Sequence, residues 1–256
     1  MFLFRKGFLS LSIKKLVCCL LCFLCLLPCA QGLAENTEEQ PFIIRFGSRD
    51  EPRIALTMDD CYEIRWVREA FDLCNEYGIV MTFFPLGIML KEEDRELWQA
   101  IAASGCEIGS HTMRHGRMAL GDSRYLLANI LRPQEVLDAL LGYHYPIRSI
   151  RPPFGNTEDE NGHNRKAIKL LGMAGYEHVV NWDVSQTDPE KAFPRVRNGS
   201  ILLYHARWTD FQCIKALVPR LLEKGFEFVT VSDLVGFEPL ATSTDLYVYR
   251  EEDYIH

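Results

Sequence analysis

An α/β fold, with a parallel sheet closed or partly closed into a barrel, is what this sequence predicts. Three observations carry the expectation. Short apolar runs alternate with helix-patterned segments along the chain, the pattern of strands joined by helical crossovers. Chemically expensive residues fall just after those runs, where parallel barrels build their sites. The chain has 256 residues, 48% of them hydrophobic, so one sizeable core can form and the composition is not that of a disordered protein.

The elements follow in order. Phe42 to Phe46 reads as an added edge strand and Ile54 to Met58 as a buried one. Val67, Ala70, Phe71 and Cys74 share a helical face over Val67 to Tyr77, and Gly78 ends it. Ile79 to Phe84 is the next strand, Leu97 to Ala103 a helix stopped by Gly105, and Glu107 to Gly109 extended chain. Tyr125 to Leu141 is helical with a break expected near Pro133. Strands are expected at Ile147 to Ile150, His178 to Trp182, Ser200 to Tyr204 and Phe226 to Val231. Helices are expected at Arg165 to Leu171 and at Phe211 to Leu222, the latter kinked at Pro219.

Residues 1–34 read as an export signal: bases from Arg5 to Lys15, an apolar run from Leu16 to Leu27, then small residues at Ala30, Gly32 and Ala34. That run is short for a membrane span, which needs roughly 20 residues; a cleaved signal and a retained anchor both stay open. Residues 35–52 form a polar linker and edge segment, 53–240 one domain, and 241–256 a polar, acidic tail. The net charge is −7, and the first 34 residues hold four bases and no acid, so the remainder carries −11. Such a body repels nucleic acid and anionic membrane, leaving membrane contact to an uncleaved N-terminus, and it accepts neutral sugars. Five of the nine cysteines lie in the export segment; Cys61, Cys74, Cys106 and Cys213 remain, with three full pairings open to them.

Polar groups gather after five strands: Asp59 and Asp60, then His111 and His115, Arg151, Asp183 and Asp188, and His205. Histidines at i and i+4 share a face on a helical turn and can grip one cation, although HxxxH by itself is a weak signal. An acidic pair is ordinary too, except directly after a run as apolar as Ile54-Ala55-Leu56-Thr57-Met58. Trp208, just past His205, is the best-placed aromatic for a sugar platform. A thiol at Cys61 beside two carboxylates is disfavoured as a nucleophile, since its pKa is raised there.

From Arg53 to Val235 the chain resembles the polysaccharide deacetylase family, the NodB-homology or carbohydrate esterase family 4 domain. The resemblance rests on Thr57-Met58-Asp59-Asp60-Cys61, on Gly105-Cys106-Glu107-Ile108-Gly109 leading to His111-Thr112-Met113-Arg114-His115, on Arg151-Pro152-Pro153-Phe154-Gly155, and on Leu203-Tyr204-His205. It implies a distorted (β/α) barrel of about seven parallel strands, and the export signal of residues 1–34 points to a secreted or cell-surface location. It also implies hydrolytic removal of N-acetyl groups from an amino-sugar polysaccharide such as peptidoglycan or a chitin-like oligosaccharide.

By that resemblance Asp60, His111 and His115 hold a divalent metal, zinc first and cobalt or another divalent ion as alternatives. Asp59 is the base, paired with Arg151; His205 is the acid, oriented by Asp188 in preference to Asp183; the backbone N–H of Phe154 serves the oxyanion. The chain departs from the family pattern at Cys61 (glycine), Phe154 (tyrosine), Ser185 and Pro189 (aspartate and tryptophan) and Ala206 (commonly an acid). O-acetyl ester cleavage on xylan and glycan binding without turnover are the rival expectations.

Overall fold

The computed structural model describes residues 42–118, 121–155, 165–176, 178–238 and 240–254. The export segment, the acidic run Glu158-Asp159-Glu160, His163 and His256 lie outside them. The elements are β1 (Phe42–Ile44), β2 (Arg53–Asp60), α1 (Ile64–Tyr77), β3 (Thr82–Pro85), α2 (Arg95–Ala103), β4 (Glu107–Ile108) and α3 (Ser123–Leu141). They continue with α4 (Arg165–Met173), β5 (His178–Val180), α5 (Pro189–Ala192), β6 (Ile201–His205), α6 (Trp208–Glu223), β7 (Glu227–Phe228) and α7 (Val231–Val235).

Among the described residues the seven strands all pair in parallel. The main sheet runs β4-β3-β2-β6, with β7 on the base of β2; β1 and β5 form a second, two-stranded sheet. Single bridges join the two: Ile150 pairs with Ser110 and Val179, and Val184 with Leu202. The ring therefore closes through isolated residues, which is the distortion in the distorted (β/α) barrel.

β2 is the central staff. Its residues Ile54 to Asp59 are buried, as expected for a parallel strand covered on both faces. Period two sends Ile54, Leu56 and Met58 into the outer core with α1, α2 and α6, while Ala55 joins the inner cluster of Phe84, Val180 and Ile201. Thr57 and Asp59 share the face of Ala55, so Asp59 is delivered inward at the carboxyl end of the strand. Gly78, at φ 63°, ends α1 by donating its N–H to the Cys74 carbonyl. Asp122 caps α3 by accepting from the Tyr125 N–H, 2.7 Å.

Three expectations need correction. Ile147 to Ile150 is not a strand; Ile150 alone bridges its neighbours, while Gln134 Oε1 accepts the Ile147 N–H. The last strand stops at Phe228, because Thr230 caps α7 and starts a helical turn within the expected strand. And α3 does not break at Pro133, which lies inside a continuous helix. The carbonyl of Asn129, which a proline four residues on cannot engage, accepts the Met113 N–H at 2.7 Å instead.

The polar tail is tied down as well. Asp138, fully buried in α3, accepts from His144 Nδ1 (2.6 Å), the Tyr145 N–H (3.1 Å) and the Tyr247 N–H (2.8 Å). Among the described residues no helix is long and apolar enough to cross a membrane.

Candidate active site

The parallel register brings the polar strand ends to one end of the ring. Asp59 pairs with His205 across β2 and β6, and Asp60 with Pro85 across β2 and β3. Beyond Asp59 the alternation breaks: Asp60 and Cys61 adopt left-handed backbone, φ 65° and 58°, a region L-residues enter at a cost. Asp60 is thereby turned away from the direction the strand would have given it. Cys61 is buried, and burial followed by the charges of Asp59 and Asp60 raises its thiol well above the usual value. It is an inert, protonated group.

Arg151 is fully buried and its guanidinium is spent on the barrel interior. Nη1 donates to Asp59 Oδ1 (2.6 Å) and Thr57 Oγ1 (2.7 Å), Nε to the Val180 carbonyl and Nη2 to the Asn181 carbonyl, both 3.2 Å. It also lies 4.3 Å over the Phe84 ring. Burial lowers its pKa against the opposing pull of Asp59; an arginine so paired stays cationic. The Asp59 carboxylate is thus held in one orientation.

His111 and His115 do come together, with ring centroids 5.2 Å apart, but not on a helix. They sit on a loop in which Thr112 has φ 70°, so the helical reading of their spacing is corrected. The loop is pinned from two sides. Gly87 and Ile88 donate to the carbonyls of Thr112 and Met113, and Asn129 takes the Met113 N–H on its carbonyl and the Arg114 N–H on Oδ1 (2.8 Å).

His111 Nδ1 lies 2.6 Å from the Arg151 carbonyl. A carbonyl only accepts, so Nδ1 carries the proton and Nε2 offers its lone pair. That Nε2 is 3.3 Å, and His115 Nε2 3.5 Å, from Asp60 Oδ1, a buried oxygen with no hydrogen-bond partner. One ligand atom from each of Asp60, His111 and His115 lies within 4.8 Å of the others. An orphaned carboxylate oxygen between two imidazole nitrogens fits a divalent cation.

His205 ends β6. Its backbone N–H donates to Asp210 Oδ1 (2.9 Å) and its Nδ1 lies 3.3 Å from the same oxygen. Asp210 stands in the first turn of α6, is 1% exposed, and accepts on Oδ2 from Arg207 Nε and Thr209 Oγ1 (3.0 Å). The hydrogen bond that the His205 ring donates to Asp210 is the leading cause that raises the His205 pKa, against burial and with Asp59 and Asp60 assisting.

The expected partner of His205 is elsewhere. Asp188 caps α5, accepting from the Glu190 N–H (3.0 Å) and pairing with Lys191 (3.2 Å). Asp183, the rival, pairs with Arg49 (2.9 Å) and accepts from Ser200 Oγ and the Ile201 N–H. Sequence reading missed Asp210 because its helix was expected to start at Phe211; the available signal was an acid five residues past the histidine.

Phe154 has φ 64° in the turn Pro153–Gly155. Its ring meets His115 edge-on at 4.5 Å and is 56% exposed. Trp208 opens α6 with 59% of its surface exposed. Phe154 therefore stands at the solvent side of the Asp-His-His group.

A mostly parallel barrel thus gathers at one end a carboxylate–arginine pair, a histidine–carboxylate pair and an Asp-His-His group that could hold a metal ion. Residues 46–179 match the family described as Polysaccharide deacetylase, and the chain belongs to it. The peptidoglycan-N-acetylglucosamine deacetylase of Bacillus cereus is 29% identical over 207 residues, covering 74% of this chain and 91% of that protein. A crystal structure of the Bc1960 peptidoglycan N-acetylglucosamine deacetylase superposes with a TM-score of 0.66 at 23% identity, covering 78% of this chain and 95% of that one. A carbohydrate esterase family 4 pseudoenzyme from Bacillus anthracis shares the fold, with a TM-score of 0.65 at 17% identity over 76% of this chain and 69% of its own.

Proposed function

We propose that this chain is an extracytoplasmic, metal-dependent N-deacetylase acting on peptidoglycan amino sugars. The observation that carries the reading is the meeting, at one barrel end, of Asp60, His111 and His115 with the Asp59–Arg151 pair and His205. Similarity to a peptidoglycan-N-acetylglucosamine deacetylase over most of both chains supports that substrate.

Asp60, His111 and His115 would hold a divalent ion, which would supply Lewis-acid polarisation of the acetamide carbonyl and acidify water. The two-imidazole, one-carboxylate set suits zinc, and cobalt or another divalent ion can replace it. Asp59 takes the proton of the attacking water, its carboxylate aimed by Arg151. The Phe154 backbone N–H donates to the oxyanion of the tetrahedral intermediate. His205 hands a proton to the departing amine. Trp208 offers an apolar face to the sugar ring.

The second reading, a glycan-binding protein without turnover, is favoured by Cys61 at a position the family gives to glycine and by the pseudoenzyme of the same fold. One experiment separates them: acetate release from peptidoglycan, chito-oligosaccharide and acetylxylan, with chelated and metal-restored protein side by side. Release from peptidoglycan that is lost in Asp59→Asn is the expected result. No release with any ion, or full activity in that variant, overturns the mechanism; release from acetylxylan alone would make the enzyme an O-acetyl esterase.

A further inference from the structure

We propose that Asp210 is the positioning carboxylate of His205, a task that the resemblance assigns to Asp188. The inference deepens the proposed reading of the site and rests on it for its kinetic consequences. Its structural basis is independent.

Oδ1 of Asp210 takes both the backbone N–H of His205 and the ring Nδ1, so one oxygen fixes the histidine's main chain and its imidazole together. Oδ2 is occupied by Arg207 Nε and Thr209 Oγ1. With both oxygens engaged the carboxylate cannot rotate, and at 1% exposure water does not compete for it. A carboxylate accepts only, so the Nδ1 facing it carries the proton, and the other nitrogen, Nε2, is left for proton transfer.

The connection explains why this acid can do the work locally. Only Ala206 and Arg207 separate β6 from α6, and the Arg207 N–H returns to the His205 carbonyl at 2.8 Å. The first turn of α6 therefore folds back over the strand end, bringing the residue five positions on against the imidazole. Asp188 and Asp183 are both committed to other partners. The consequence is that the loop from Trp182 to Asp188 is freed from orienting the acid, which fits the loss of the family's aspartate and tryptophan at Ser185 and Pro189.

The test uses the full chain labelled with 15N-histidine, with His205 signals assigned by their loss in His205→Gln. In the wild type, long-range 1H–15N spectra of the neutral ring are expected to show the Nδ1–H form. Asp210→Asn presents an amide in place of the acceptor, and the population moves toward Nε2–H. Kinetically, Asp210→Asn lowers kcat by a factor on the order of 10³ with KM changed less than about threefold, while Asp188→Asn retains wild-type kcat. A wild-type His205 in the Nε2–H form overturns the proposal, whether or not Asp210→Asn folds. So does a loss of kcat in Asp188→Asn with none in Asp210→Asn. If the wild type releases no acetate from any glycan, the proposed function fails, and the tautomer measurement still decides the role of Asp210.

Discussion

Replacing Arg151 by methionine is the sharpest test of how the barrel interior is held together. The guanidinium and the Asp59 carboxylate meet at 2.6 Å, with side-chain exposures of 0% and 3%. Charge centres about 4 Å apart attract by about 4 kcal/mol at an effective dielectric near 20. Removing one partner leaves the other charge buried, which costs about 3–5 kcal/mol. Methionine also abandons the carbonyls of Val180 and Asn181. A domain of this size loses about 2–4 °C of Tm per kcal/mol, so Arg151→Met is expected to melt about 10 °C lower. Asp59→Asn alone strands the arginine and is expected to cost a comparable amount. The double variant recovers part of the loss, with a coupling energy of about 2 kcal/mol or more. Urea and thermal denaturation of the four proteins in chelator, where metal contributes nothing, give the cycle. Single variants each costing under about 1 kcal/mol, or two losses that simply add, would refute the claim that this pair organises the interior.

Three further outcomes follow from the same structure. Chelated protein is expected to gain stability when zinc is added, about 4 kcal/mol at a thousandfold excess over Kd, and His111→Gln to abolish the shift; an unchanged melting curve would remove the metal site. Gly155→Ala is expected to cost about 1–3 kcal/mol, because Gly155 has φ 61° and a Cβ there would meet Trp182 Cη2 at 2.5 Å; a neutral melting temperature would contradict it. The Asp210–His205 contact should make stability pH-dependent. Asp210 is lowered to about 2 from 3.8, burial opposing and His205 and Arg207 prevailing, so its contribution, on the order of 2 kcal/mol, is present above pH 3.8 and lost as pH falls through about 2. The His205 value is raised, so its share is present below 6.5 and lost as pH rises through the folded value. The stability gap between wild type and Asp210→Asn should therefore be widest between about pH 4 and 6.5; a gap flat from pH 3 to 9 would count against the contact.

The parts of the fold written in local pattern were legible. The unbroken apolar run ending in Asp59-Asp60 is a strand buried on both faces, and its end carries two charges because the site lies there. Asp60, His111 and His115 were recognisable from residue type and order, and the structure brings them together. What escaped depends on tertiary context. The HxxxH spacing suggests a helix, whereas Thr112 takes a left-handed backbone and the loop is held by hydrogen bonds donated by Gly87 and Ile88 and accepted by Asn129. Ile147 to Ile150 has a strand's composition but meets its neighbours at one residue only. Asp210 has an ordinary place at a helix start; only the short β6–α6 connection turns it onto His205.

Pro133 invites a last consequence. Within α3 it withholds the proton that Asn129 would otherwise receive, and the released carbonyl reaches out to Met113, between the two histidines. Local helix preference and the hold on the loop carrying His111 and His115 are consequently traded against each other at a single position. Alanine there should make the isolated helical segment more favourable while loosening the hold on the imidazoles, so that improved helicity and weakened zinc affinity arrive in the same variant.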